Sequence, residues 1–371
     1  MIRLRTGTVL DVAEPRPGIQ DLTVEVDGRR EAALAYPSLT GRVTAGDRVL
    51  LNTTAVDAGL GSGGSHFVIA VLGEVSQEAD GPGHVMKLRY TPLQAQVLAV
   101  EEQESPDHDA VAGDESLDGL PVAWLPLHSM VGAACAGAKA AGAERVVYVM
   151  TDGAALPLWL SRQVHALRGA GLVDEVITAG QALGGDREAV NLFSALVAAR
   201  AVSRADVVVV ADGPGKVGTG TTWGATEVSG GLALTVASIL GGRPIAGIRL
   251  NFSDPGYRHF GLSPHSVTVL TRVAQSPSHV AVPVLEGKER EIVWDAIREA
   301  GVEGRHQVVE VTGSPGVDLL VERGVEMETM GRSREDDPQF FLAAGAAGVL
   351  AGRMAAGSAR WRAETPGVTR A

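Results

Sequence analysis

One cysteine, Cys135, is the only sulfhydryl in 371 residues. No intramolecular disulfide can form and no CxxC metal site exists, a composition that fits a reducing cytoplasm. Positive charge is also in deficit. Lys and Arg number 32 against 44 Asp and Glu, for a formal charge of −12. An acidic surface repels phosphate backbones at long range. No run of Lys or Arg and no basic stripe with interleaved aromatics compensates, so a nucleic-acid partner is not expected. Long hydrophobic runs are missing too. The longest apolar tract, 340–352, falls short of the roughly 18 apolar residues of a spanning helix, so no membrane partner is expected. The opening MIRLRTGTVLDV alternates instead of forming a secretory apolar core. Aromatics make up 4%, which leaves Val, Leu and Ala to build the core.

Glycine, by contrast, is abundant at 47 residues, and close turns and small-residue helices follow from it. At about 150 residues per domain the length suggests two domains. Residues 1–100 read as short strands rich in Val, Leu and Ile, with Asp27-Gly28 as a hairpin turn. A small β-barrel or sandwich is expected there. Residues 101–119 are acidic, carry few apolar side chains and contain Pro106. They read as an exposed linker. From Leu120 to Ala356, near-continuous apolar runs (VAWLPL, RVVYVM, DEVITA, DVVVVA, PIAGIRL) alternate with helical patterns. Strands buried on both faces and joined by helices imply right-handed βαβ units, hence a mainly parallel, Rossmann-like doubly wound α/β domain. SVTVLTRV and HVAVPVL read as two further strands, the second an edge or a strand end because of Pro283. Asp337 and Pro338 suit the start of a last helix, and 357–371 reads as a frayed tail.

The densest chemical signal follows the four valines 207–210. Asp212 opens a loop with Gly213, Gly215, Gly218, Gly220 and Gly224, one lysine (Lys216), Thr219, Thr221 and Thr222, and Trp223. GPGKVG matches GxGxxG after a strand, but the next helix starts only near Ala225. Glu227 is too early and Asp254 too late for the acidic partner about 20 positions on that a dinucleotide site wants. No GK[ST] occurs. What remains is an anion cradle: backbone N–H groups of a glycine-rich turn, charge from Lys216, hydroxyls from the threonines and Trp223 as a cover.

In open parallel sheets ligands sit outside the carboxyl ends of the strands. That rule adds His128, Ser129, Thr151, Asp152, Gly180, Gln181 and the segment 251–266, with Asp254, Arg258, His259 and His265. Arg258 suits a carboxylate or phosphate, and the histidines titrate near neutral pH. Asp152, Asp254, His259 and His265 are the candidates for acid–base work. No histidine pair has HExxH-type spacing, so no metal is assigned, and no cofactor is identified. Ser129 reads as the N-cap of the helix SMVGAACAGAKAAG, and Cys135 as packing within it. The loop DAGLGSGGSHF reads as a mobile glycine-rich connection, with a lid carrying His66 as the alternative.

Four strings (NTTAVDAGLGSGGSHFVIA, the glycine loop after DVVVVADG, GLSPHSVTVLTRV and METMGRSREDDPQFFLAA) together resemble a bacterial family catalogued as a domain of unknown function, number 3866. They span Asn52 to Ala344. The resemblance implies no activity. The family's third string usually holds two adjacent histidines, whereas here Pro264 precedes His265. Two functions fit these residues. One is an α/β enzyme binding a phosphorylated or carboxylated metabolite or a nucleotide. The other is a non-catalytic ligand sensor or assembly protein with the same pocket. A homodimer is the commonest closed assembly for either.

Overall fold

The computed structural model describes residues 1–14, 16–60, 64–73, 82–253 and 259–364, with side chains to 357. It divides into two compact units, Met1–Leu98 and Ala99–Ala371.

In the first unit, β1 (Leu4–Val12), β2 (Gln20–Val26), β3 (Arg29–Ala35), β4 (Arg48–Asn52) and β5 (Ser65–Val71) close a barrel in the order β1-β2-β3-β5-β4. All neighbours are antiparallel except β3 and β5. This is the Greek-key arrangement of the five-stranded OB barrel. Closure leaves no free edge. Alternate residues such as Leu22, Val24 and Val26 fill the interior, while Asp27 and Gly28 adopt the left-handed backbone that the tight β2–β3 turn requires. A hairpin of β6 (Val85–Lys87) and β7 (Ala95–Val97) completes the unit. His66 lies inside this unit, buried on β5 with Nε2 against the Glu31 carboxylate. It is therefore a barrel residue and not a lid side chain. Residues 61–63 of that glycine-rich loop lie outside the described residues.

The second unit is an eight-stranded parallel sheet. Its strands are β8 (Pro121–Trp124), β9 (Val146–Thr151), β10 (Glu175–Ala179), β11 (Arg187–Ala189), β12 (Val207–Asp212), β13 (Arg243–Ala246), β16 (His279–Pro283) and β17 (Gln307–Val311). Their order is β11-β10-β9-β12-β8-β13-β16-β17. A separate ribbon pairs β14 (Leu250–Asn251) with β15 (Gly261–Leu262). The valine run of β12 shows why both faces are apolar. Val207, Val209 and Ala211 pack with the helices 131–140, 162–169, 314–322 and 338–364. Val208 and Val210 pack with 192–201, 232–239 and 287–299 on the other side.

Three expectations need correction, while the reading of Pro283 as a strand end holds. The acidic stretch 101–119 is no linker. It holds a helix, His108–Ala112, and buries Leu117. Its carboxylates are taken up by arginines of the sheet unit, Asp107 by Arg187 at 2.8 Å and Asp114 by Arg200. SVTVLTRV is not a strand: Pro264 starts a helix (Pro264–Thr268) that runs into a π-helical turn, Val269–Val273. Thr268 and Thr271 donate their hydroxyls to carbonyls four residues back, bonds that bend a helix slightly, and the run is helical in spite of its β-branched residues. β16 is an inner strand, flanked by β13 and β17, with Pro283 as its last residue. Finally, the last helix continues to Glu364. Within it Pro338–Gly357 is long and apolar enough to cross a membrane by length and composition, although 67% of that window is buried inside the fold. The apolar count on sequence stopped at Arg353, which a spanning window tolerates.

Candidate functional site

β12 lies between β8 and β9. The chain leaving β8 and β9 enters helices on one face of the sheet, and the chain leaving β12 enters helices on the other. Such a divergence, at the carboxyl ends of the three strands, is the place where parallel sheets bind ligands.

Asp212, the last residue of β12, is at its centre. Its Oδ1 accepts the Thr151 hydroxyl at 2.5 Å and the Gly153 N–H at 3.1 Å. Its Oδ2 lies 2.9 Å from Lys216 Nζ, and the two side chains are only 3% and 7% exposed. The short helix Thr226–Gly230 runs against the pair: a side chain added at Gly230 would stand 3.5 Å from Asp212 Oδ2 and 3.7 Å from Lys216 Nζ. In its first turn Glu227 is buried and accepts the Ser266 hydroxyl at 2.9 Å. Burial raises the Glu227 carboxyl above the usual carboxylate range, while Lys216, Arg249, the Ser266 bond and His265 pull it partly back. Arg249 is buried as well, and its backbone N–H donates to Ser266 Oγ at 3.2 Å. Two cations and two carboxylates are thus buried within electrostatic reach of one another.

His128 lies on the other side of Asp212. Burial pushes its imidazole down to about 4, against smaller opposing contributions from the Asp212 carbonyl and carboxylate. Neutral, it donates Nδ1–H to the Asp212 carbonyl, 3.2 Å away, near the Tyr148 hydroxyl. Nε2 lies 2.7 Å from Ser161 Oγ and accepts its proton. Ser161 in turn caps the helix Arg162–Gly169 by accepting the Val164 N–H at 3.0 Å.

The glycine loop is more self-contained than a cradle. Gly218 bridges Ala225, the Thr219 N–H bonds the Gly224 carbonyl at 2.8 Å, and Thr219 and Thr221 spend their hydroxyls on the loop itself. Lys216 points inward to Asp212, whereas Thr222 and Trp223 are exposed. His265 reaches the Thr221 carbonyl at 3.3 Å, and its ring lies 5.2 Å from that of His259, which bonds Ser263 at 3.0 Å.

The expected residues thus separate into groups. Asp212, Lys216 and His128 converge, and His265 joins them through the loop. Asp152 is exposed and turned to the Gln181 N–H at 2.8 Å. Asp254 and Arg258 lie outside the described residues. Ser129 is not an N-cap: His128–Met130 is a 3-10 turn leading into the helix Val131–Ala140, and the Ser129 hydroxyl meets Thr329 Oγ1 at 3.0 Å. Cys135 is fully buried in that helix, where burial pushes its thiol up and keeps it inert. Sequence reasoning missed Ser161, Glu227 and Arg249. The last two carry a readable signal, since each is a lone charge in an apolar run (Thr226–Ile239 and PIAGIRL).

A pH dependence of stability follows. The His128 pKa is depressed in the fold, so its contribution is intact above about 6.5 and is lost as pH falls toward 4. Glu227 has the opposite sign. Its raised pKa gives a contribution present below the ordinary carboxylate pKa and lost as pH rises through the folded value. Thermal melts across pH should show His128→Gln flattening the acid limb and Glu227→Gln flattening the limb above it. An acid limb unchanged in His128→Gln would show that another group governs it.

A family model described as Protein of unknown function (DUF3866) matches residues 32–348. No curated protein and no solved structure matches the chain.

Proposed function

The chain belongs to the family described as Protein of unknown function (DUF3866), and on that premise, which carries no activity, we propose an enzyme acting on an anionic small metabolite, phosphorylated or carboxylated, or on a nucleotide, at the carboxyl ends of β8, β9 and β12. One observation carries this reading: four ionisable side chains, Asp212, Lys216, Glu227 and Arg249, are buried together at the crevice where the connections diverge. Burying charge is costly even in pairs, and such concentrations mark functional sites. Lys216 and Arg249 supply the positive charge. Glu227, held toward its neutral form, offsets neither cation when protonated and serves as the proton donor. His128, neutral and oriented by the Asp212 carbonyl, is the base. His259 and His265 flank the loop over this group. The ligand partner is small and anionic rather than nucleic acid or membrane. We place the protein in the cytoplasm on the strength of its single buried thiol, and we take a homodimer as the working assembly.

The sensor reading keeps one observation in its favour: Asp212 and Lys216 already neutralise each other, so ligand binding must open that pair. Calorimetric titration with nucleotides, sugar phosphates and dicarboxylates separates the two. We expect Lys216→Met to weaken the bound anion about tenfold or more, and Glu227→Gln to keep binding while slowing turnover about a hundredfold. Unchanged anion affinity in Lys216→Met rules out the site; binding without turnover in the unmodified protein selects the sensor.

A further inference from the structure

The outer wall of the glycine loop forms a second feature. Val217, Trp223, Val228, Leu232 and Val273 line an open, largely apolar groove of about 510 Å³. Three of them are unusually exposed for their type, Val217 at 61%, Trp223 at 59% and Leu232 at 52%. Contiguous apolar surface left in water marks a binding site. Arg272 stands at its edge, with its guanidinium 5.8 Å from the centre of the Trp223 ring. Among the described residues no carboxylate pairs with it. Arg272 and Val273 both come from the π-helical turn Val269–Val273, a rare conformation frequent at functional sites. An apolar trough with one unpaired, aromatic-stacked guanidinium at its rim is complementary to a single ligand chemistry.

We propose that this groove binds an amphipathic carboxylate or phosphate, its hydrocarbon or aromatic body against Trp223 and Leu232 and its anionic head at Arg272. The fork of the guanidinium matches either head group through two parallel N–H bonds. Stacking on Trp223 holds the guanidinium with little further loss of freedom. The volume lies within the range of small-molecule sites. The groove is independent of the Asp212–Lys216 pair, so either site can fail without the other.

The test is calorimetric titration of the full chain with a homologous series of n-alkyl carboxylates, butanoate to decanoate. Affinity should rise about fourfold with each methylene until the groove is full. Trp223→Ser should lower decanoate affinity about tenfold and leave butanoate affinity nearly unchanged, so that the rise along the series becomes shallower. Arg272→Gln should cost about tenfold at every length. Both side chains are exposed, so the variants fold, and Lys216→Met should leave the series unchanged. Absence of a chain-length dependence overturns the proposal. So does decanoate affinity indifferent to Trp223→Ser, or decanol binding as well as decanoate. A dimer in sedimentation that Trp223→Ser converts to monomer overturns it as well, because the groove would then be a contact between copies.

Discussion

Asp212→Ala is expected to destabilise the parallel-sheet unit by about 3–5 kcal/mol, the usual cost of removing one partner from a buried ion pair. The Lys216 ammonium loses its counter-ion at 2.9 Å, and the Thr151 hydroxyl at 2.5 Å and the Gly153 N–H at 3.1 Å lose their acceptor. The ammonium is the expensive one, because its side chain is 7% exposed and cannot rehydrate in place. The reverse substitution is milder. Lys216→Met leaves Asp212 its two donors and fills the volume with an apolar chain, so a smaller loss is expected. The double variant Asp212→Ala/Lys216→Met should therefore be more stable than Asp212→Ala alone, with a coupling of about 1–3 kcal/mol. Chemical denaturation of the four proteins measures this. Equal costs for the two single substitutions, with no coupling, would mean that the pair is solvated and the crevice open.

The second large effect concerns packing. Gly348 sits in the last helix where it crosses Val131–Ala140, and a methyl added there would stand 1.9 Å from the Ala134 carbonyl oxygen. Backbone cannot rotate away as a side chain can, so the helices must part. Gly348→Ala is expected to cost about 3 kcal/mol or more, at the upper end of overpacking, despite the ~1 kcal/mol by which alanine favours a helix over glycine. Gly357→Ala in the same helix meets nothing within 4 Å and should be neutral or slightly stabilising. The pair separates helix propensity from packing in one thermal-melt comparison. Equal melting temperatures for the two variants would show that the crossing is looser than its geometry.

Much of the architecture was legible in single segments. The short alternating strands of the first hundred residues became a closed barrel, and the valine runs became parallel strands buried on both faces, because alternation and burial are local consequences of side-chain polarity. Errors arose where a distant partner decides. The stretch 101–119 looked solvated because its carboxylates were counted without the arginines at 187 and 200 that take them up. SVTVLTRV looked extended because β-branched residues favour strands, but Pro264 at the first helical position and the burial of Val269 and Leu270 in the core make it helical.

The same division runs through the site. The amino-acid order alone determined that a strand rich in valine delivers Asp212 into a glycine-rich loop, and that His128 and Asp152 each follow a strand of their own. Each is a statement about residues close in sequence. Only the tertiary structure decided what those residues face. It turned Lys216 inward onto Asp212 and closed the loop's threonines on one another. It brought Glu227, Arg249 and Ser161 to the same crevice and left Trp223 outside beside Arg272. The reason is physical: a strand run is recognised by its own polarity, whereas the pairing of buried charges depends on which strands become neighbours, and β12 meets β8 and β9 only after 55 residues or more of intervening chain.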